Sequence, residues 1–169
     1  VLASNPGAEF WAASGVGLSS ATTGQRLAGA QPNSVNFLIW WDADETRELE
    51  NGTAISKLGA GTLLECAECT FNNGTKSVPT LVADLLGDWR EEIIWREANN
   101  TALRIYTTVD VTTRRIYTLM HDPQYRAAIS WQNVAYNQPP HPSFHIGADM
   151  AAPPTPDIRV VPRAEVAPR

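Results

Sequence analysis

A repeat of forty-four residues is the feature of this sequence that most limits what it can fold into. Asp44 and Glu48-Leu49 recur as Asp88 and Glu92-Ile93, and each set follows an apolar run of strand length, residues 35–41 and then 79–86. Further strands are predicted at 8–12, 16–19, 47–50, 54–58, 62–66, 91–95, 103–107, 115–119 and 127–131. They are separated by turn signals such as Asn51-Gly52 and Gly59-Ala60-Gly61, and Asn-Gly between strand-like runs marks a hairpin. About four short strands per repeat, with no convincing amphipathic helix, predict an all-β chain of β-propeller blades. A chain of 169 residues holds three to four such units, whereas closed propellers use roughly 4 to 8. The expectation is an incomplete propeller whose open edges are covered by missing N-terminal blades.

The repeat carries carboxylates at alternating positions. Asp84, Asp88 and Glu92 occupy slots one, five and nine of one loop, while Asp42, Asp44 and Glu48 occupy slots three, five and nine of its equivalent. Each loop lacks one position of the full pattern, with Trp40 and Leu86 in the gaps. Alternating carboxylates on a tight loop are how calcium gathers oxygen ligands, and the competing reading pairs the same groups with Arg47, Arg90 or Arg96.

Between the repeats lies the polar loop Cys69-Thr70-Phe71-Asn72-Asn73-Gly74-Thr75-Lys76. It sets a lysine beside a hydroxyl and two amides, next to a glycine free to bend the backbone, and loops held by strands often carry chemistry. A solvated turn bearing a lysine is the plainer account. Cys66 and Cys69 form a lone C-x-x-C, weak as a metal or redox signal without a second pair. If that stretch is extended, residues three apart face opposite sides, so two unpaired thiols are expected.

Towards the C-terminus, His121-Asp122-Pro123 predicts a capped turn or one short helical turn. The stiff segment 132–142 is dense in amides and includes Tyr136 and His141, a set suited to presenting hydrogen bonds and a stacking face to a carbohydrate. Residues 1–150 read as the folded part and 151–169 as a Pro-rich tail or linker. A net charge of −5 without a long basic run disfavours nucleic acid as a partner. No apolar run approaches the roughly 20 residues of a membrane helix. Six Trp suit sugar binding and core packing equally.

The blocks at 72–76, 83–92, 103–108, 117–126 and 131–141, with Pro6-Gly7-Ala8-Glu9-Phe10-Trp11 and 39–49, closely resemble the C-terminal part of rhamnogalacturonan lyases of polysaccharide lyase family 11. The resemblance runs to about Gly147. It implies calcium-binding, eight-bladed enzymes that cut the backbone of rhamnogalacturonan I, a pectin, by β-elimination, and secretion is expected because pectin lies outside cells. It assigns Lys76 as the base and Asn73, Gly74, Thr75 and Tyr136 as sugar contacts. The family's second basic residue and its uronate-binding histidines belong to earlier parts of such chains and have no match here. Elimination needs a base for the C5 proton of galacturonate, and a lysine takes that role when burial or a nearby cation lowers its proton affinity.

Overall fold

Short apolar runs 44 residues apart form edge strands of two sheets. A computed structural model describes residues 2–29, 31–134, 138–153 and 155–160. A two-stranded ribbon, β1 (Glu9–Phe10) with β2 (Ser19–Ser20), precedes them. In the first sheet β3 (Phe37–Ile39), β4 (Glu48–Asn51), β5 (Ala54–Lys57) and β6 (Gly61–Glu65) follow one another antiparallel. The predicted hairpin is there: Asn51 pairs with Ala54, and Gly52 takes the left-handed φ of 73° that closes so short a turn.

In the second sheet the longest strand organises the others. One edge of β9 (Glu92–Glu97) holds two short strands end to end, β8 (Leu81–Ala83) along its first half and β7 (Cys69–Thr70) along its second. Its other edge carries β10 (Leu103–Tyr106). The repeat is visible strand for strand, since β3 and β8 begin 44 residues apart, as do β4 and β9. Each acidic stretch is the connection between such a pair.

Strand alternation splits the adjacent tryptophans between two cores. Trp41 packs with Phe37, Ile39, Ile55, Val82, Ile93 and Trp95 between the sheets. Trp40 faces the other way, against Trp89, Ile116, Leu119, Tyr125 and Ile146. Four of the six tryptophans are therefore core residues.

The expectation of an all-β propeller is overturned. The chain is mixed α/β, with separate antiparallel sheets, and among the described residues no sheet closes on itself or into a propeller. Residues 115–119, expected as a strand, find no partner edge, and Leu119–His121 form a 3-10 turn. Residues 127–131, also expected as a strand, belong to the helix α1 (Pro123–Trp131). Its start was readable: the Asp122 side chain accepts from Tyr125 N, with Pro123 in the first turn. Its length was not, because a run such as Ala127-Ala128-Ile129 suits a strand or a helix, and only burial of Tyr125 and Ala128 on one face decides. No described helix is long and apolar enough to cross a membrane. Residues 155–160 have no regular structure, and the rest of the proposed tail, 161–169, lies outside the described residues.

The expectation of two free thiols is also corrected, since Cys66 and Cys69 form a disulfide with Cα atoms 5.3 Å apart. The chain is not extended there. It turns between β6 and β7, with Cys69 N donating to Cys66 O, so side chains three apart converge. Closing a loop this small stabilises by about 2 kcal/mol on the chain-entropy model. Urea unfolding of Cys66→Ser/Cys69→Ser should show a loss of about that size, and an unchanged midpoint would show that the bond constrains nothing.

Candidate functional site

The lysine loop is a closed finger rising from β7. Asn72 and Val78 bridge its base through paired backbone bonds of 2.8 and 3.1 Å, and Asn73 O accepts from both Lys76 N and Ser77 N. Asn73, Gly74 and Thr75 stand exposed at the tip and Lys76 is half-buried. The backbone bend is not made by the glycine: Asn73 (φ 53°) and Ser77 (φ 52°) are the left-handed residues. A Cβ placed on Gly74 meets nothing within 4 Å. Gly74 is thus not required by the loop's own fold.

Arg96, expected only as an alternative partner of the acidic-loop carboxylates, instead braces this finger. From β9 it reaches Asn72 Oδ1 through Nε (3.4 Å), Phe71 O through Nη2 (3.3 Å) and Asn100 Oδ1 through Nη1 (2.6 Å). A second brace comes from the first sheet, where Gly52 N donates to Ser77 O.

The two acidic loops have diverged in use. In the first, Asp42, Asp44 and Glu48 each turn an oxygen to a common centre, all within 4.8 Å of one another, a geometry that can hold a divalent cation. The ammonium of Lys57, from β5, lies among them. It donates to Asp42, to Asp44 Oδ2 at 2.6 Å and to Glu48 Oε1 at 3.2 Å. Burial and the charge of Asp42 push the Glu48 carboxyl up to about 7. Burial works against the Lys57 charge, but Asp42 and Asp44 outweigh it, so the lysine holds its proton more tightly than usual.

In the second loop the carboxylates bind the chain itself. Asp84 accepts from Gly87 N, Leu119 N and Thr118 Oγ1, while Glu92 accepts from Leu85 N, Leu86 N and Thr107 Oγ1. Asp88 pairs with Arg90. Asp84, Asp88 and Glu92 are thus near neighbours in sequence whose oxygens are directed to separate partners.

Beneath the loops lies a buried chain of polar groups. Glu91, wholly buried, accepts from Trp40 N at 2.9 Å and from the Tyr125 hydroxyl at 2.7 Å. That hydroxyl accepts in turn from Asp84 N at 2.9 Å. Arg47 comes within 4.0 Å of Glu91, stacks 3.7 Å over the Trp40 ring and donates to Pro140 O. The network joins the first acidic loop, the second and α1. Its only signal in the sequence was the pair of opposite charges at matching repeat positions, Arg47 and Glu91.

At the start of the amide-rich segment 132–142, two amide side chains bind the chain itself. Gln132 is buried and binds both backbone groups of Val82, accepting from its N–H at 2.7 Å and donating to its carbonyl at 3.0 Å. It covers the edge of β8 as another strand would. Asn133 donates to Thr80 O. Tyr136 lies outside the described residues.

Residues 1–156 match the family described as rhamnogalacturonan lyase family 11, C-terminal domain, and the chain belongs to that family. It is 49% identical over 158 residues to the rhamnogalacturonan endolyase YesW of Bacillus subtilis strain 168, which takes in 90% of this chain and 25% of that protein. The rhamnogalacturonan exolyase YesX of the same organism is 49% identical over 150 residues, with 81% and 24% covered. The fold is similar to the crystal structure of YesW, with a TM-score of 0.86 at 49% identity over 93% of this chain and 27% of that one. It is equally similar to the Bacillus licheniformis rhamnogalacturonan lyase, with a TM-score of 0.86 at 48% identity over 92% and 27%. The chain spans about a quarter of the length of these relatives.

Proposed function

We propose that this chain is the C-terminal part of a secreted rhamnogalacturonan lyase that cuts the rhamnose–galacturonate backbone of rhamnogalacturonan I by β-elimination. The observation that carries this is the family match over residues 1–156, which contains the whole braced loop. Secretion follows from the substrate, since pectin lies outside cells. The remainder of the enzyme is the chain's proposed partner.

In this reading Lys76 takes the C5 proton of galacturonate. The exposed tip, Asn73, Gly74 and Thr75, faces the neighbouring rhamnose, and Tyr136 supplies a further sugar contact. With no Cβ in the way, a sugar ring can approach the backbone at Gly74 closely. The rigidity of the finger keeps the lysine in place, because positioning a base ahead of the reaction removes an entropic part of the barrier.

Calcium is the proposed cofactor. Asp42, Asp44 and Glu48 are the residues placed to hold it, and their three carboxylate oxygens fit its preference for hard ligands. Asp84, Asp88 and Glu92 belong to the same proposal and must exchange backbone partners to ligate. A cation on the substrate's carboxylate stabilises the enolate-like charge that develops as the proton leaves; its ligands lie in other parts of the longer enzyme.

Incubating rhamnogalacturonan I with the longer enzyme should raise the ultraviolet absorbance of the 4,5-unsaturated product in a calcium-dependent way. Saturated ends would replace the lyase reading with hydrolysis. A second reading is favoured by the quarter-length coverage: the 169-residue chain alone serves as a noncatalytic carbohydrate-binding segment. It predicts that the isolated chain binds the polysaccharide with no rise in absorbance.

A further inference from the structure

We propose that Lys57 is a tethered cation in the first acidic loop, and that calcium enters the loop only by displacing it. This rests on the reading of that loop as a calcium site. The ammonium contacts all three carboxylates, and the oxygens it uses are Asp42 Oδ2, Asp44 Oδ2 and Glu48 Oε1. Their partner oxygens are already taken by the backbone: Asp42 Oδ1 by Asp44 N, Asp44 Oδ1 by Thr46 N and Glu48 Oε2 by Trp41 N. Each carboxylate therefore offers the centre a single oxygen.

Calcium binds oxygens at about 2.3–2.6 Å and takes about 6–8 of them. An ion within that distance of these three oxygens would sit where the ammonium sits, so the two positive charges exclude each other. Lys57 is fixed at its Cα by the pairing of β5 with Gly61 of β6, but its side chain is 22% exposed. It has somewhere to go. Because the backbone bonds keep the carboxylates gathered in either state, the loop holds its shape while its cation is exchanged. By strand register the residue opposite Glu92, as Lys57 is opposite Glu48, is Thr107, whose uncharged hydroxyl bonds to Glu92, so the tethered cation belongs to the first loop alone.

Calorimetric titration of the chelator-stripped 169-residue chain with calcium chloride tests this, comparing wild type with Lys57→Met. The variant should bind calcium at least about tenfold more tightly, a difference of about 1.4 kcal/mol, and Asp44→Asn added to it should abolish the gain. Equal or weaker binding by Lys57→Met overturns the proposal and leaves the calcium reading of the loop standing. No calcium on either chain overturns both. A measurement on wild type alone covers the case in which the variant does not fold. Lys57 and Lys76 are the only lysines, so the rate of acetylation by acetic anhydride can be followed at Lys57 by mass spectrometry with Lys76 as reference. Saturating calcium should speed labelling of Lys57, and unchanged labelling with calcium bound overturns the displacement.

Discussion

Lys76→Ala in the longer enzyme is expected to reduce release of unsaturated product by about 10²–10⁴-fold, the contribution a positioned general base makes. The fold should be untouched. What holds the finger is backbone pairing at Asn72 and Val78, the Arg96 brace and the Gly52 N–H bond to Ser77 O, and the Lys76 N–H bond to Asn73 O is a backbone bond that alanine retains. The thermal midpoint and polysaccharide binding should therefore stay near those of wild type, which separates a lost base from a collapsed loop. Lys76→Arg should be nearly as inactive, because a guanidinium does not give up its proton in proteins. Near-normal turnover by the alanine variant would remove Lys76 from the role of base. Gly74→Ala is a sharper probe of the tip: with space for a Cβ and no left-handed φ to strain, any loss of activity would report on how closely the substrate approaches.

The second large effect is on stability. Glu91→Ala should destabilise the chain by about 3–5 kcal/mol, the range seen when one partner of a buried charge pair is removed. Arg47 would remain buried against Trp40 without its carboxylate, and the Trp40 N–H and the Tyr125 hydroxyl would each lose an acceptor. Urea unfolding measures this directly, and a loss below about 1 kcal/mol would mean that water replaces the carboxylate. The same group links stability to pH. Burial raises the Glu91 carboxyl from its ordinary 4.5 to about 7, against the opposing pull of Arg47. A raised value in the folded state means that its contribution is full below about 4.5 and is lost as pH rises through 7. Glu48, raised to about 7 by burial, acts in the same direction. Stability should fall between pH 5 and pH 8, and less steeply in Glu91→Ala than in wild type.

How much of this was legible follows from which interactions are local. The acidic repeat, the Asn-Gly hairpin and the Asp-Pro helix start were readable because each depends on neighbouring residues and backbone sterics. The lysine loop was readable too, as a polar interruption between strands. The disulfide was missed because its geometry depends on whether residues 66–69 turn or extend, which is set by how β7 docks on β9. Strand readings at 115–119 and 127–131 failed for a related reason: a strand exists only with a partner edge, and here Gln132 rather than a strand covers the edge of β8.

By itself the sequence determined the family, the repeat, the lysine loop and the order of most strands, all properties of contiguous residues. Tertiary structure alone decided that the sheets stay separate, that Lys57 lies among the carboxylates of the first loop while those of the second bind backbone N–H groups, and that Glu91, Tyr125 and Arg47 share one buried network. The physical reason is that a carboxylate takes whichever donor comes within about 3 Å, and for these groups the donors arrive from as far as 51 residues away.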